Sequence, residues 1–389
     1  MKLFFRLLAA SAALPILVGG AGCGARNIYR NAKFQKPPLI PGYVHTTRDG
    51  TFEAGVEPVE GGQVLATADS IYVASETNGI EAFDRAGRAR RWRFAVKNGV
   101  PGQVVLEGGT LYFGAEDGVF YAVDAEFGRL NWKYETKAPV FAAASISGGK
   151  IFVSASDDVL YCLDKASGKW IWHYKRGGDY ITTVRGNSTA AVFENQALVG
   201  FSDGYLVALG LADGNLKWEV KVHSGTKFTD VDALPMIEDR RVYVPSYDGS
   251  LYALEAANGK TLWHVDVGGS RKVVIEDKTL YLASSDGHVY ALNKDSGKIL
   301  WKFELDRGVP TDLVLRQNYI AFGGSQEYFY VIHKGDGSLA YRFDAGLRSG
   351  FVSSPAQSGN EIFILSGYGN VYTFRWREAA LHGRYFQWQ

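Results

Sequence analysis

The sequence predicts an all-β protein: an eight-bladed β-propeller with four-stranded antiparallel blades and Trp-docked repeats. Three observations carry this. A small residue inside an apolar strand recurs as Ala82, Ala122, Cys162, Ala208, Ala253, Ala291, Val331 and Thr373, at intervals of 40, 40, 46, 45, 38, 40 and 42. A glycine stands four residues before an aromatic ring at Gly128/Trp132, Gly168/Trp172, Gly214/Trp218, Gly259/Trp263, Gly297/Trp301 and Gly337/Tyr341, stretched in the first copy to Gly87/Trp92. Glycine numbers 46 and aromatics make up 14%, while Pro and Met are sparse, a profile of strands and tight turns. Self-similarity at this period marks a repeat that buries its core only against its neighbours.

Each unit reads in the same order. An apolar stretch such as "PVFAAAS" 139–145 comes first. An apolar strand follows, as in "TLYFGA" 110–115, "KIFVSA" 150–155, "RVYVPS" 241–246 and "TLYLAS" 279–284. Then comes a hairpin turn, with Asp-Gly at 117–118, 203–204, 248–249 and 286–287, where the dipeptide supplies the positive φ of a type I′ turn. The strand with the small residue is third, and the glycine–tryptophan strand is fourth. Four strands in 40–45 residues make one blade. The small residue lets sheets approach. Trp132, Trp172, Trp218, Trp263 and Trp301 are expected to cover the gap to the adjacent blade, each burying on the order of 150–250 Å². Cys162 takes the place of the small alanine and reads as a buried apolar residue.

The eighth copy, "EIFILSGYGNVYTFRW" 361–376, is incomplete at its end. Ring closure therefore needs a borrowed strand, from residues 54–60 or from the tail "RYFQWQ" 384–389.

The N-terminal part is of another kind. Residues 1–22 have Lys2 and Arg6 before an apolar run and then small residues up to Cys23, the layout of a signal peptide. The segment resembles a bacterial lipoprotein signal, which implies that Cys23 is lipidated and becomes the mature N-terminus. It departs from that pattern at Gly20, where a leucine is usual. Gly24 rather than aspartate after the cysteine implies, by the same resemblance, the outer membrane. Residues 23–53 show no sustained period, and Pro37, Pro38 and Pro41 break any helix. They read as a tether, which leaves 54–389 as a single propeller domain.

Composition excludes several functions. With 42 Lys+Arg against 41 Asp+Glu, nothing electrostatic favours nucleic acid. Two cysteines cannot make a disulfide framework, and the seven histidines show no ligand spacing, so no metal site is expected. No nucleophile–base set, P-loop or paired-carboxylate motif stands out. The chain reads as a non-enzyme without a cofactor.

Two family resemblances follow from these motifs. The A-x-D/N-x-x-x-G-x-x-x-W pattern resembles the repeat of pyrroloquinoline-quinone (PQQ) enzymes, which implies a periplasmic quinoprotein dehydrogenase as one alternative. The chain lacks the adjacent cysteine pair and the CxxCH haem motif common there. A second resemblance covers nearly the whole chain. The signal, the Pro-containing tether and the eight repeats are similar to the BamB family, propeller lipoproteins of the outer-membrane β-barrel assembly (BAM) machinery. "TTVRGNS" 182–188 resembles that family's Leu-Ser-Leu-Arg-Gly loop, and "FTDVDALP" 228–235 its Ser-Asp-Val-Asp-x-x-Pro stretch. In the family these loops contact BamA, the barrel-forming subunit. The resemblance implies contacts at Thr182, Val184, Arg185, Asp230 and Asp232, with Thr182 standing where the family has leucine. It also implies handling of unfolded outer-membrane protein clients and attachment to the membrane through the N-terminal lipid. Read from the residues alone, Arg185 and Asp232 could equally bridge neighbouring blades, and the chain could be a generic envelope ligand-binding propeller. The two longest intervals, 46 and 45, flank the copies that hold these two loops, and insertions in repeat proteins map to loops on one binding face.

Overall fold

A computed structural model describes residues 37–46, 60–86, 88–176, 188–223, 230–247, 249–269, 271–346 and 349–377. These form eight four-stranded antiparallel sheets, and among the described residues there is no helix. Blades 1 to 7 are contiguous in sequence, over 64–94, 105–135, 145–175, 191–221, 236–265, 274–304 and 314–344. Blade 8 combines 356–376 with Leu39–Thr46.

Burial explains the strand order within a blade. The second strand packs neighbours on both faces, so Ser70–Ser75 is buried at every position. The fourth strand is the outer edge and alternates, as in Leu130–Glu135 with every second residue half-buried. The first strands are three residues long and half-buried. The core is divided among clusters that lie between adjacent blades, such as Tyr72, Ile80, Leu111 and Phe113 between blades 1 and 2.

The tryptophans do what the spacing predicts, with an added partner. Each pairs directly with the small residue of its own blade: Ala122 with Trp132, Cys162 with Trp172, Ala208 with Trp218, Ala253 with Trp263 and Ala291 with Trp301. Each indole then lies on the glycine of the next blade. A Cβ at Gly214 would sit 2.6 Å from Trp172 Cε3, and Gly214 has φ of 70°, so no other residue fits there without strain. The indole N–H of Trp132 donates to Lys165 O at 3.2 Å, that of Trp172 to Leu211 O at 3.2 Å and that of Trp301 to Lys334 O at 2.9 Å. Trp218 differs, donating to Gln196 Oε1 of its own blade at 3.0 Å. Cys162 is fully buried beside Trp172 and its thiol is pushed up to about 11 by desolvation. It is a packing residue.

Two expectations are corrected. The Asp-Gly hairpins at 117–118, 203–204 and 286–287 are not type I′ turns, which need positive φ at both central residues; Asp248 lies outside the described residues. At 115–119 only Gly118 is left-handed, with φ of 74°. Gly118 N–H donates to Ala115 O at 3.3 Å, and Ala115 N–H to Val119 O at 3.1 Å. This is a three-residue loop, a type I turn closed by glycine. The aspartate acts through its carboxylate, with Asp117 Oδ1 accepting Val119 N–H at 3.1 Å.

The second correction concerns closure. The borrowed strand is Leu39–Thr46, inside the segment 23–53 expected to be a tether, rather than 54–60 or 384–389. It runs antiparallel to Asn370–Trp376, from Leu39 opposite Trp376 to Thr46 opposite Asn370. Pro41 breaks any helix but does not bar a strand. Proline is tolerated on an edge strand or at a bulge, and this strand is at the outer edge with a register shift between Pro41 and Val44. Residues 54–59 and 384–389 lie outside the described residues. Leu39, fully buried, fastens the strand to the core between blades 7 and 8.

Candidate functional site

The connections between blades and the turns joining second to third strands share one face of the ring. On it the central channel opens as a funnel of ≈ 610 Å³. Every blade contributes to its wall through the residues just before its first strand, among them Gln63, Gln103, Phe141, Thr189, Asp232 and Asp312. Arg271, before blade 6, reaches over to blade 8, where its Nη2 donates to Val352 O at 3.1 Å. Asp312 is buried in the wall and accepts from Ser354 Oγ at 2.5 Å.

The sequence-predicted residues divide. Asp232 lies half-exposed on the funnel wall. Asp230, two residues earlier, is fully buried, and its carbonyl accepts Tyr247 N–H at 3.0 Å. It therefore shapes the loop rather than meeting solvent. Val231 between them is buried in the core of blades 4 and 5, so the Asp-Val-Asp stretch is pinned by its centre. Thr182, Val184 and Arg185 lie outside the described residues, as does Cys23. In sequence, 177–187 joins blade 3 to blade 4 and 224–229 joins blade 4 to blade 5. The equivalent connections of the other blades form the funnel rim.

A group that the sequence did not single out lies beside these connections. Asp158, in the turn of blade 3, is buried and bonds Ser202 of blade 4 through both the hydroxyl and the N–H. Burial holds its carboxyl above the usual carboxylate range; the Ser202 bonds oppose this, and the charges of Asp203 and Asp230 add to it. Arg176 counters part of that charge, pairing with Asp203 and, at 2.6 Å, with Glu219, its guanidinium 4.5 Å over the Tyr205 ring. The signal in the sequence was the second aspartate of Asp157-Asp158, at the place where five of the other seven copies carry glycine. Among the described residues no cluster of His, Cys, Asp and Glu could hold a metal ion.

Comparison with known proteins accounts for this arrangement. The sequence model of the family described as outer membrane protein assembly factor BamB matches residues 76–303 and 285–382. The chain belongs to the BamB family. Curated BamB relatives include that of Yersinia pestis, 27% identical over 200 residues, 49% of this chain and 50% of the relative. The BamB of Nitrosomonas eutropha is 33% identical over 201 residues, 49% of each chain. The chain thus spans about half the length of the curated relatives it matches. Among solved structures, BamB from Moraxella catarrhalis superposes with a TM-score of 0.73 at 23% identity, covering 87% of this chain and 100% of that one. Quinohemoprotein alcohol dehydrogenase from Comamonas testosteroni superposes with a TM-score of 0.70 at 14% identity, over 88% of this chain and 78% of that one. Both likenesses concern the fold. The BamB loop resemblance falls, in sequence, on the connections that join blade 3 to blade 4 and blade 4 to blade 5.

Proposed function

We propose that this chain is a non-enzymatic scaffold lipoprotein of the outer-membrane β-barrel assembly complex. It binds a BamA-like subunit through that subunit's periplasmic part, and so assists insertion of outer-membrane proteins. The observation that carries the reading is the position of Asp232 on the funnel wall, next to the connection between blades 4 and 5, in a chain of the BamB family. Thr182, Val184, Arg185 and Asp232 form the contact, and Asp230 holds the loop from beneath. An arginine and a carboxylate on successive connections of the chain suit charge-assisted recognition. Cys23 carries the lipid, which holds the protein at the periplasmic face of the outer membrane, and unfolded barrel proteins are the clients.

The test is co-purification with the barrel-forming subunit. Arg185→Ala and Asp232→Ala are expected to lower recovery at least about tenfold with unchanged circular dichroism. Recovery equal to wild type in both variants would sink the reading. Mass measurement of the mature N-terminus checks lipidation at Cys23. The quinoprotein alternative, which the shared fold keeps in view, predicts tight uptake of PQQ with calcium in an equilibrium titration, and the scaffold reading predicts none.

A further inference from the structure

The seam between blades 8 and 1 departs from the repeat at three positions, and each departure brings an arginine. Arg88 stands where blades 2 to 7 carry the glycine under the tryptophan. Its N–H donates to Asp84 O at 2.9 Å, as that of Gly128 does to Asp124 O at 2.9 Å, and its φ of 56° is close to the 68° of Gly128. A side chain in this left-handed region costs free energy that glycine avoids. Arg91 stands where only one of those six blades has a cation, Lys217. Arg375 of blade 8 stands where blades 1, 2, 3 and 5 carry an acid, Asp84, Asp124, Asp164 and Glu255. The strand that completes blade 8, Leu39–Thr46, contains no tryptophan.

Together with Arg85, these three arginines line an open cavity of ≈ 520 Å³. Its wall comes from the turns joining first to second and third to fourth strands of blade 1, and from two strands of blade 8. It therefore lies on the face opposite the funnel. Three carboxylates share it, Asp69, Asp84 and Glu361, one fewer than the guanidinium groups. Glu361 serves two of them, Arg85 at 2.9 Å and Arg375 at 3.3 Å, while Asp84 pairs with Arg91 at 2.9 Å. Arg85 and Arg88 stand over one ring, 5.4 and 5.7 Å from the centroid of Phe363. Each guanidinium has five N–H donors, and Arg375, 65% exposed, commits one of them to Glu361. The fork of an arginine matches two oxygens of a phosphate. Arginines of two blades on one cavity can thus hold a tetrahedral oxyanion between the blades.

We propose that this cavity is a phosphate site, in which a phosphate group is bound by Arg88 and Arg91 of blade 1 and Arg375 of blade 8. The phosphate is that of a small soluble ion or ester, or of a lipid headgroup; the recognition chemistry is the same. The ligand bridges the two blades whose seam lacks the tryptophan, and because only the closed ring holds both sides of the site, binding stabilises closure. The site lies apart from Asp232 and needs no assembly partner.

The full folded chain is titrated with inorganic phosphate at constant ionic strength, chloride being the balancing anion, and followed by phosphorus NMR line width and thermal melting. Wild type is compared with Arg88→Gly/Arg375→Gln, which restores the glycine of the repeat, and with Lys169→Gln/Lys298→Gln on other turns of the same face. The seam variant is expected to bind at least about tenfold more weakly and to lose the phosphate-dependent rise in melting temperature; the other variant stays within about twofold of wild type. Arg88→Gly alone removes the left-handed side chain, so it folds, and it too should bind more weakly. Phosphate should slow hydrogen exchange at blades 8 and 1 in particular. Flotation with phosphatidylglycerol vesicles, against phosphatidylcholine, separates the sources. Flotation that excess inorganic phosphate abolishes assigns a lipid headgroup; phosphate binding without flotation assigns a soluble phosphate. A wild type with no phosphate-dependent stabilisation, or a seam variant that binds phosphate like wild type, overturns the proposal, and either result leaves the co-purification test of the scaffold reading untouched.

Discussion

Six of the seams between blades and the seam that closes the ring are built on different chemistry. In blades 1 to 6 each outer strand places a tryptophan on the next blade's glycine, at Gly128, Gly168, Gly214, Gly259, Gly297 and Gly337 in turn. Between blades 8 and 1 the buried apolar cluster shrinks to seven residues, against 11 between blades 1 and 2. A small void of ≈ 10 Å³ remains there, lined by His45, Phe83, Thr373 and neighbours. Polar contacts take over. Arg85 of blade 1 pairs with Glu361 of blade 8 at 2.9 Å, donates to Ser358 O at 2.9 Å and stands 5.4 Å over the Phe363 ring. Glu81 replaces the tyrosine that six other blades carry at its position and pairs with Arg90 at 2.9 Å. Repetition fixes apolar shape wherever one repeat follows another. The closing junction lacks the tryptophan seat and adds Arg85 and its partners to a smaller apolar cluster.

The largest effect should come from breaking a repeated seam. Trp172→Ala removes a ring 6% exposed, its N–H bond and its seat, and is expected to cost about 3–5 kcal/mol in denaturant unfolding. Gly214→Ala attacks the same seat from the other side and should cost about 1–3 kcal/mol. If both variants melt like wild type, docking does not hold the blades. Next in size is the closing seam. Arg85→Ala leaves Glu361 with Arg375 alone and should cost about 1.5–3 kcal/mol. Hydrogen exchange should show faster opening confined to blades 8 and 1. Uniform acceleration around the ring would argue against a separate closing unit.

The smallest effects are those of pH, and they have opposite signs at the two kinds of seam. The carboxyl of Asp158, between blades 3 and 4, is raised by burial. As pH falls, the folded chain takes up this proton before the unfolded chain does, so that seam gains stability. His45 of the closing strand is lowered, first by burial, with Glu81 opposing and Arg88 adding. Here the unfolded chain is protonated first, so the closing seam loses stability as pH drops through the ordinary histidine range, about 6.5. Native-state exchange at pH 7 and pH 5 should show protection rising in blades 3 and 4 and falling at blades 8 and 1. His45→Phe should remove the second change only.

How much of this was legible in the sequence follows the same division. The eight registers and the tryptophan covers could be read because every copy restates the spacing. The glycine seats were visible as residues, but not as the next blade's surface. The closing strand was missed because Pro41 and a bulge hide its alternation, and because its partner lies more than 300 residues away. At the site, the Asp-Val-Asp stretch was readable by resemblance. Its division into a buried Asp230 and a half-exposed Asp232 depends on Val231 entering the core between blades 4 and 5, which a linear pattern does not distinguish from a surface loop. Asp158 was overlooked because its burial comes from Ser202 on the neighbouring blade.

The closing strand also sets the order in which the chain can finish folding. Leu39–Thr46 is synthesised more than 300 residues before its partner Asn370–Trp376. Until that partner arrives, the early strand has no sheet to join, and its Ile40 and Val44 are among the apolar side chains left exposed even in the closed ring. Blades 1 to 7 use local hairpins that form early, whereas the final pairing must close a loop of the longest kind. Completion of the ring thus requires that the chain has been made at least as far as Trp376. A product cut short before Asn370 is left with an open last blade and a bare strand edge.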